Sequence, residues 1–155
     1  MSDDEKAKLG YQAAIQMIAY EGQVIWRAFS AMVTANSLIV ATGAFLAHLR
    51  PGIPALKLLP ILGWILCLCW LLVVARQFGY YRYWFACAKG LEKDHLSPTV
   101  LTISAGGEYS KGNTVKLGAT EEVRMGWFGR LFKVQWLMYA AIAVFVFLYY
   151  LLLGL

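Results

Sequence analysis

The sequence predicts an all-α integral membrane protein with three transmembrane helices, on three observations. First, the 155 residues are 60 % apolar and only 15 % charged, whereas a soluble domain usually carries about 25 % charged residues. A soluble fold of this size leaves too much of its chain exposed to hide that much apolar surface. Second, residues 28–49, 55–75 and 134–155 are almost uncharged, with Lys57 as the sole Asp, Glu, Lys or Arg among them. Each run is about twenty residues, enough to cross a hydrocarbon core of about 30 Å. Third, the basic residues are distributed unevenly around these runs, as counted below.

Residues 1–27 form the first element. The opening Met1-Ser2-Asp3-Asp4-Glu5 is acidic and no small-residue cleavage pattern follows, so no signal peptide is expected. Residues 5–27 lack proline, and only Gly10 and Gly22 interrupt them, which predicts a cytoplasmic helix running into span one (28–49). Arg50-Pro51-Gly52-Ile53-Pro54 reads as a tight outer turn, making spans one and two an antiparallel hairpin. Pro60 falls near the start of span two (55–75), where a missing N–H costs least. After it, Phe78, Tyr80, Tyr81, Tyr83, Trp84 and Phe85 crowd a segment that also holds Arg76, Arg82 and Lys89. Amphipathic rings beside cations suit the headgroup layer, so a helix leaving the membrane is expected there.

Residues 97–118 look neither helical nor membranous. Thr99–Ile103 and Thr114–Leu117 could pair as a short β-hairpin across a Gly-rich loop. That loop, residues 106–112, lacks the Gly-Lys-Ser/Thr ending of a phosphate loop and reads as a mobile connection. Thr120-Glu121-Glu122 has the capping hydroxyl and acidic first turn of a helix start. That helix is expected to run through Trp127, Phe128, Arg130 and Phe132 into span three (134–155). The whole chain reads as a single membrane domain.

Of the 14 Lys and Arg, two (Arg50 and Lys57) flank the outer turn and twelve lie on the other side. The positive-inside rule then places the N-terminus and residues 76–133 in the cytoplasm of a cell with an inner membrane, and the C-terminus outside. It also accounts for the net charge of +5 without nucleic acid as a partner.

Little in the chain points to catalysis. Cys67 and Cys69 sit two apart on a predicted helix and point in different directions, so with Cys87 they read as small apolar residues. His48 and His95 fall on opposite sides of the membrane in this topology. The span interiors hold no charged relay of the kind that marks pumps. No enzyme, cofactor or metal site is expected.

The first helix carries the most information. Tyr11, Ile15, Ile18, Gly22, Ile25, Phe29, Met32, Asn36, Ile39, Gly43 and Leu46 recur at alternating steps of four and three, the rhythm of a packed helix interface. Beside it runs a polar stripe of Gln12, Gln16, Gln23, Arg27, Ser30, Thr34 and Ser37. Polar groups in a bilayer need partners that lipid tails do not offer. Either they hydrogen-bond between helices, with Ala31 and Ala35 allowing close approach, or several copies assemble with the stripe facing a water-filled path. Three helices alone enclose no pore.

The pattern Tyr20-Glu21-x-x-x-Ile25-Trp26-Arg27-x-Phe29, followed by Ala35-Asn36-Ser37-Leu38 and later by Tyr80-Tyr81-x-Tyr83-Trp84, resembles uncharacterised small multi-pass bacterial inner-membrane proteins. It covers roughly a third of the chain. Membrane effectors of prokaryotic defence systems share this general architecture, an analogy that cannot itself assign a function. Two functional readings follow. In the first, a homo-oligomer forms a channel or permeabilises the bilayer through Arg27, Ser30, Thr34, Asn36 and Ser37. In the second, a non-catalytic scaffold or accessory subunit docks a soluble cytoplasmic protein or lipid headgroups through Arg76, Arg82, Lys89, Arg124 and Arg130.

Overall fold

The structure, a computed structural model, describes residues 2–49, 55–96, 101–117, 121–131 and 133–154. Helix α1 spans Asp3–Leu49 and α2 spans Ala55–Leu91, followed by a π-helical turn at Glu92–Leu96. Helix α3 (Thr102–Lys111), strands β1 (Val115–Leu117) and β2 (Glu121–Val123), and the short helix α4 (Trp127–Leu131) come next. Helix α5 (Val134–Leu153) ends the chain. Among the described residues three helices are long and apolar enough to cross a membrane, as the sequence predicts. Both long extensions are helical too, and the N-terminal segment and span one form one unbroken α1 of 47 residues. The predicted prolyl turn lies outside the described residues.

The segment after α2 departs from expectation. Residues 102–111 are helical rather than strand and loop, and Gly106 and Gly107 lie inside the helix. The hairpin exists but is displaced along the chain: β1 pairs antiparallel with β2, Val115 opposite Val123 and Leu117 opposite Glu121. Glu121 and Glu122 therefore lie in a strand and do not open a helix. The proposed cap Thr120, and Thr99 and Val100 of the expected strand, lie outside the described residues. The helix leading to span three begins only at Trp127, and α4 and α5 are separate elements.

The chain divides into two compact units. The first contains Val24–Phe78 and Gln135–Leu155, so all three apolar spans. Its interior is built from matching seams. Pro60, Gly63, Cys67, Trp70 and Val74 of α2 are buried, as are Met138, Ile142, Tyr149 and Leu152 of α5. The steps of three and four along α2, kept along α5 apart from the seven between Ile142 and Tyr149, repeat the α1 seam, where Ile25, Asn36 and Gly43 are buried and Phe29, Met32, Ile39 and Leu46 half-buried. Such a rhythm keeps each stripe turned toward its neighbours. Glycines set the approach: Gly63 leaves its space to the ring of buried Tyr149, and Gly43 meets Leu152. Trp70 is wedged between Phe29 and Phe145, with ring centroids 5.5 and 6.1 Å away. Outward lie Leu38, Phe45, Leu62, Leu68, Leu72, Leu137, Val144 and Phe147, an apolar surface that suits lipid or a second copy of the chain.

The second unit contains Met1–Gln23 and Gly79–Val134. Here small residues let the two helices approach: Ala7, Ala14 and Ala88 are buried, and Gly10 faces Leu91. Helix α3, the hairpin and α4 pack with one another within this unit.

Candidate functional site

Among the described residues the structure buries two polar side chains completely, Asn36 and Glu92. Each organises one unit. Asn36 accepts a 2.8 Å hydrogen bond at Oδ1 from the Tyr149 hydroxyl and a 3.4 Å bond from the Cys67 thiol. Its amide donates to the Met32 carbonyl at 2.8 Å. One side chain thus joins α1, α2 and α5 and is satisfied inside the unit, as a polar group in lipid must be. Cys67, expected to be a small apolar filler, is a hydrogen-bond donor.

This arrangement separates Asn36 from the residues predicted to act with it. Arg27, Ser30, Thr34 and Ser37 are all exposed, as are Gln12, Gln16 and Gln23. The reason is angular. At about 100° per residue, Ser30, Thr34 and Ser37 share an arc of about 60°, and Asn36 points about 140° from the centre of the stripe. The stripe accordingly lies across the helix from the packing seam, where a position beside it was expected. Among the described residues its hydroxyls make no bond to another helix; Thr34 Oγ1 instead donates to the Ser30 carbonyl on its own helix at 3.0 Å. The reading of these hydroxyls as glue between spans of one chain therefore fails for this face. Ala31, Ala41 and Ala44, also exposed, flank it with small side chains.

Glu92 is the residue that sequence reasoning missed. Its Oε1 accepts from the Tyr11 hydroxyl at 2.7 Å and the Ile103 amide at 2.6 Å, and its Oε2 accepts from the Ser104 amide at 2.7 Å. Leu101 offers α3 no side-chain cap, so Glu92 supplies that function from the π-helical turn. A carboxylate there satisfies orphan N–H groups and faces the positive end of the helix dipole. Burial pushes the Glu92 carboxyl up, but hydrogen bonds from Ile103, Ser104 and Tyr11 outweigh it and leave the pKa below the ordinary value. Burial first, then the neighbouring Glu92 carboxylate, raises Tyr11 to about 12. One signal for Glu92 was present in the sequence. An acid just past the C-terminus of a long helix opposes the dipole, which implies a compensating partner elsewhere.

The predicted docking cations divide as well. Arg124 Nε donates to the Gly112 carbonyl at 3.0 Å, and Arg130 donates twice to the Met125 carbonyl at 3.1 and 3.0 Å. Gly112, at φ +86°, ends α3 in the left-handed conformation, and the Arg130 side chain fills the space a Cβ would need. These two arginines thus hold the turns around α3 and α4. Arg76 is exposed at the edge of the three-span unit and is engaged in a contact of its own. Arg82 and Lys89 line an open cavity of about 460 Å³ with Tyr81, Phe85, Ala86 and Ser110.

The model of the octameric membrane protein family (8xMP) matches residues 9–155, nearly the whole chain and both units. No curated protein and no solved structure matches it.

Proposed function

The chain belongs to the octameric membrane protein family, and from that premise we propose that it assembles as a ring whose α1 helices line a polar path through the bilayer. It is an oligomeric membrane protein; the path is the proposal. One observation carries it: the hydroxyls of span one, with Arg27 at one end, lie on the exposed face of the protomer, opposite the seam that packs the other spans. Thr34 returns its hydroxyl to its own helix, and in a bilayer water or a second copy of the chain would serve the rest of that face. Eight α1 helices ringed at ~9 Å spacing have centres on a circle of radius ~12 Å. Subtracting a helix radius of ~5 Å leaves a lumen of ~7 Å radius, wide enough for hydrated ions.

In this reading the protein is not an enzyme and works as a channel or permeabilising effector. It sits in an inner membrane with its N-terminus cytoplasmic, because twelve of the 14 Lys and Arg lie on that side. The test is ion flux through the purified oligomer in liposomes. Replacing Thr34 and Ser37 together with Leu abolishes flux and leaves the native mass unchanged. A wild-type oligomer that passes no ion at any voltage, pH or lipid composition refutes the path.

A second reading, an accessory subunit that docks a soluble protein, draws on Trp127 and Phe128. Their ring centroids lie 3.9 Å apart with the planes tilted by 35°, and the two residues are 63 % and 61 % exposed. Pull-down with Trp127→Ala against wild type separates this reading from the first, since it moves partner binding and leaves flux alone.

A further inference from the structure

We propose that the path through the bilayer passes small anions in preference to cations, with Arg27 as the selecting charge, a proposal that rests on the path itself. Arg27 lies about two turns before Thr34 on α1 and only about 20° round the helix from it. At the other end, His48 lies about five full turns beyond Ser30 and so on the same line along the helix. Both residues are exposed, as Ser30, Thr34 and Ser37 are, and exposed Ala41 continues the face between Ser37 and His48 with a small side chain. Arg27 and His48 stand about 30 Å apart along the axis, the thickness of the hydrocarbon core. The hydroxyl face therefore runs across the bilayer between a guanidinium and an imidazole.

The charge along this face has one sign. Residues 22–91 and 134–155 contain no Asp or Glu, and the three-span unit lies wholly within them. That unit thus holds no side-chain carboxylate to attract a cation or to neutralise Arg27. An imidazole, neutral or protonated, adds no negative charge. Among the described residues Arg27 makes no hydrogen bond or ion pair. Glu21, the acid nearest to it in the chain, is half-buried and lies about 120° round α1, on the side of the packing seam. Glu5 does share the hydroxyl face, but it is about 33 Å further along the helix and accepts from the Ser2 amide at 3.0 Å. Hydroxyls alone do not discriminate, since each can donate to an anion or offer its oxygen to a cation. A ring of guanidinium groups does, as rings of Arg or Lys select anions in other pores. In an octamer these groups surround a lumen of ~7 Å radius. That is within the Debye length of about 8 Å at physiological salt, so every guanidinium acts on an ion at the axis.

The experiment uses the full-length oligomer in planar bilayers of phosphatidylcholine, which carries no net charge, under a gradient of KCl. The sign and size of the reversal potential then separate chloride from potassium. Wild type favours chloride by about tenfold or more, the preference expected of several like charges within a Debye length of the ion. Arg27→Gln brings the two permeabilities to within about threefold of each other. Arg27→Glu reverses the preference, and Arg27→Lys, which keeps the charge, retains it. Native mass checks that each variant is still the wild-type oligomer. Lys57→Gln, an equal charge change at an exposed position of α2 in the same unit, leaves the ratio as in wild type. A wild-type oligomer that passes no ion refutes the path and the anion selection with it. Three other results overturn the selection alone and leave the path standing: a conducting wild type that passes potassium as readily as chloride, an Arg27→Gln variant that keeps the preference, or an equal loss in Lys57→Gln.

Discussion

Replacing Glu92 with Gln keeps the side-chain shape and removes the charge, and so tests whether a single carboxylate folds α3. Helix α3 has ten residues, two of them internal glycines. Isolated helices below about 12–15 residues are marginal, and each glycine costs about 1 kcal/mol relative to alanine. The structure gives the magnitude. With its carbonyl oxygen in the position of Oε1, Gln keeps the bonds from Tyr11 and Ile103 but turns an NH₂ toward the Ser104 amide, donor against donor. Hydrogen bonds to charged groups contribute about 1.5–3 kcal/mol and neutral ones about 0.5–1.5 kcal/mol. Losing one and weakening two, with some recovery from water at the half-buried amides, destabilises α3 by about 2–3 kcal/mol. Local opening then rises by about 30- to 150-fold. Hydrogen exchange read by mass spectrometry on the detergent-solubilised oligomer measures this directly. Peptides covering 102–111 lose protection by that factor and β1, which packs on α3, loosens with them, while α5 peptides stay as in wild type. Unchanged protection over 102–111 refutes the assignment of Glu92 as the N-terminal cap of α3.

The same carboxylate makes α3 sensitive to acid. Because the pKa of Glu92 is lowered in the folded chain, its contribution is complete above the ordinary carboxylate pKa. It is lost as pH falls through the lowered value, and exchange protection across 102–111 follows that curve in wild type but flattens in Glu92→Gln. Gly63→Ala drives a methyl into the Tyr149 ring; overpacking costs about 1–3 kcal/mol, seen as a lower melting temperature in detergent. Asn36→Leu removes the acceptor of the Tyr149 and Cys67 bonds and destabilises the three spans by about 0.6–1.7 kcal/mol. Flux per folded oligomer stays constant, which distinguishes Asn36 from Thr34 and Ser37. Gly112→Ala must hold φ near +86° and displace Arg130, costing at least about 1–2 kcal/mol, read as faster proteolysis around residues 110–114.

Much of the architecture is visible in the sequence because its causes are local. The length of each apolar run shows that it can cross a bilayer, and the alternation of three and four along α1 identifies the face that packs. That periodicity also contained the fate of Asn36. The stripe residues and Asn36 point in different directions on any α-helix, so their separation follows from counting residues at 100° each. The division among the five docking cations had no such signal. Nothing near Arg124 or Arg130 in the sequence shows that their guanidinium groups are committed to the Gly112 and Met125 carbonyls.

By itself, then, the sequence determined the membrane class, the three spans, the continuous α1 and the seam along it. These depend on burial and helical period, which neighbouring residues set among themselves. The tertiary structure decided the state of residues 102–111, the register of β1 with β2, and the buried positions of Glu92 and Asn36. Local preference in the Gly-rich segment favours a loop, and a helix forms there because a carboxylate ten residues upstream satisfies its first amides. A hydrogen bond of that kind depends on where two segments meet in space, which no local window of sequence contains.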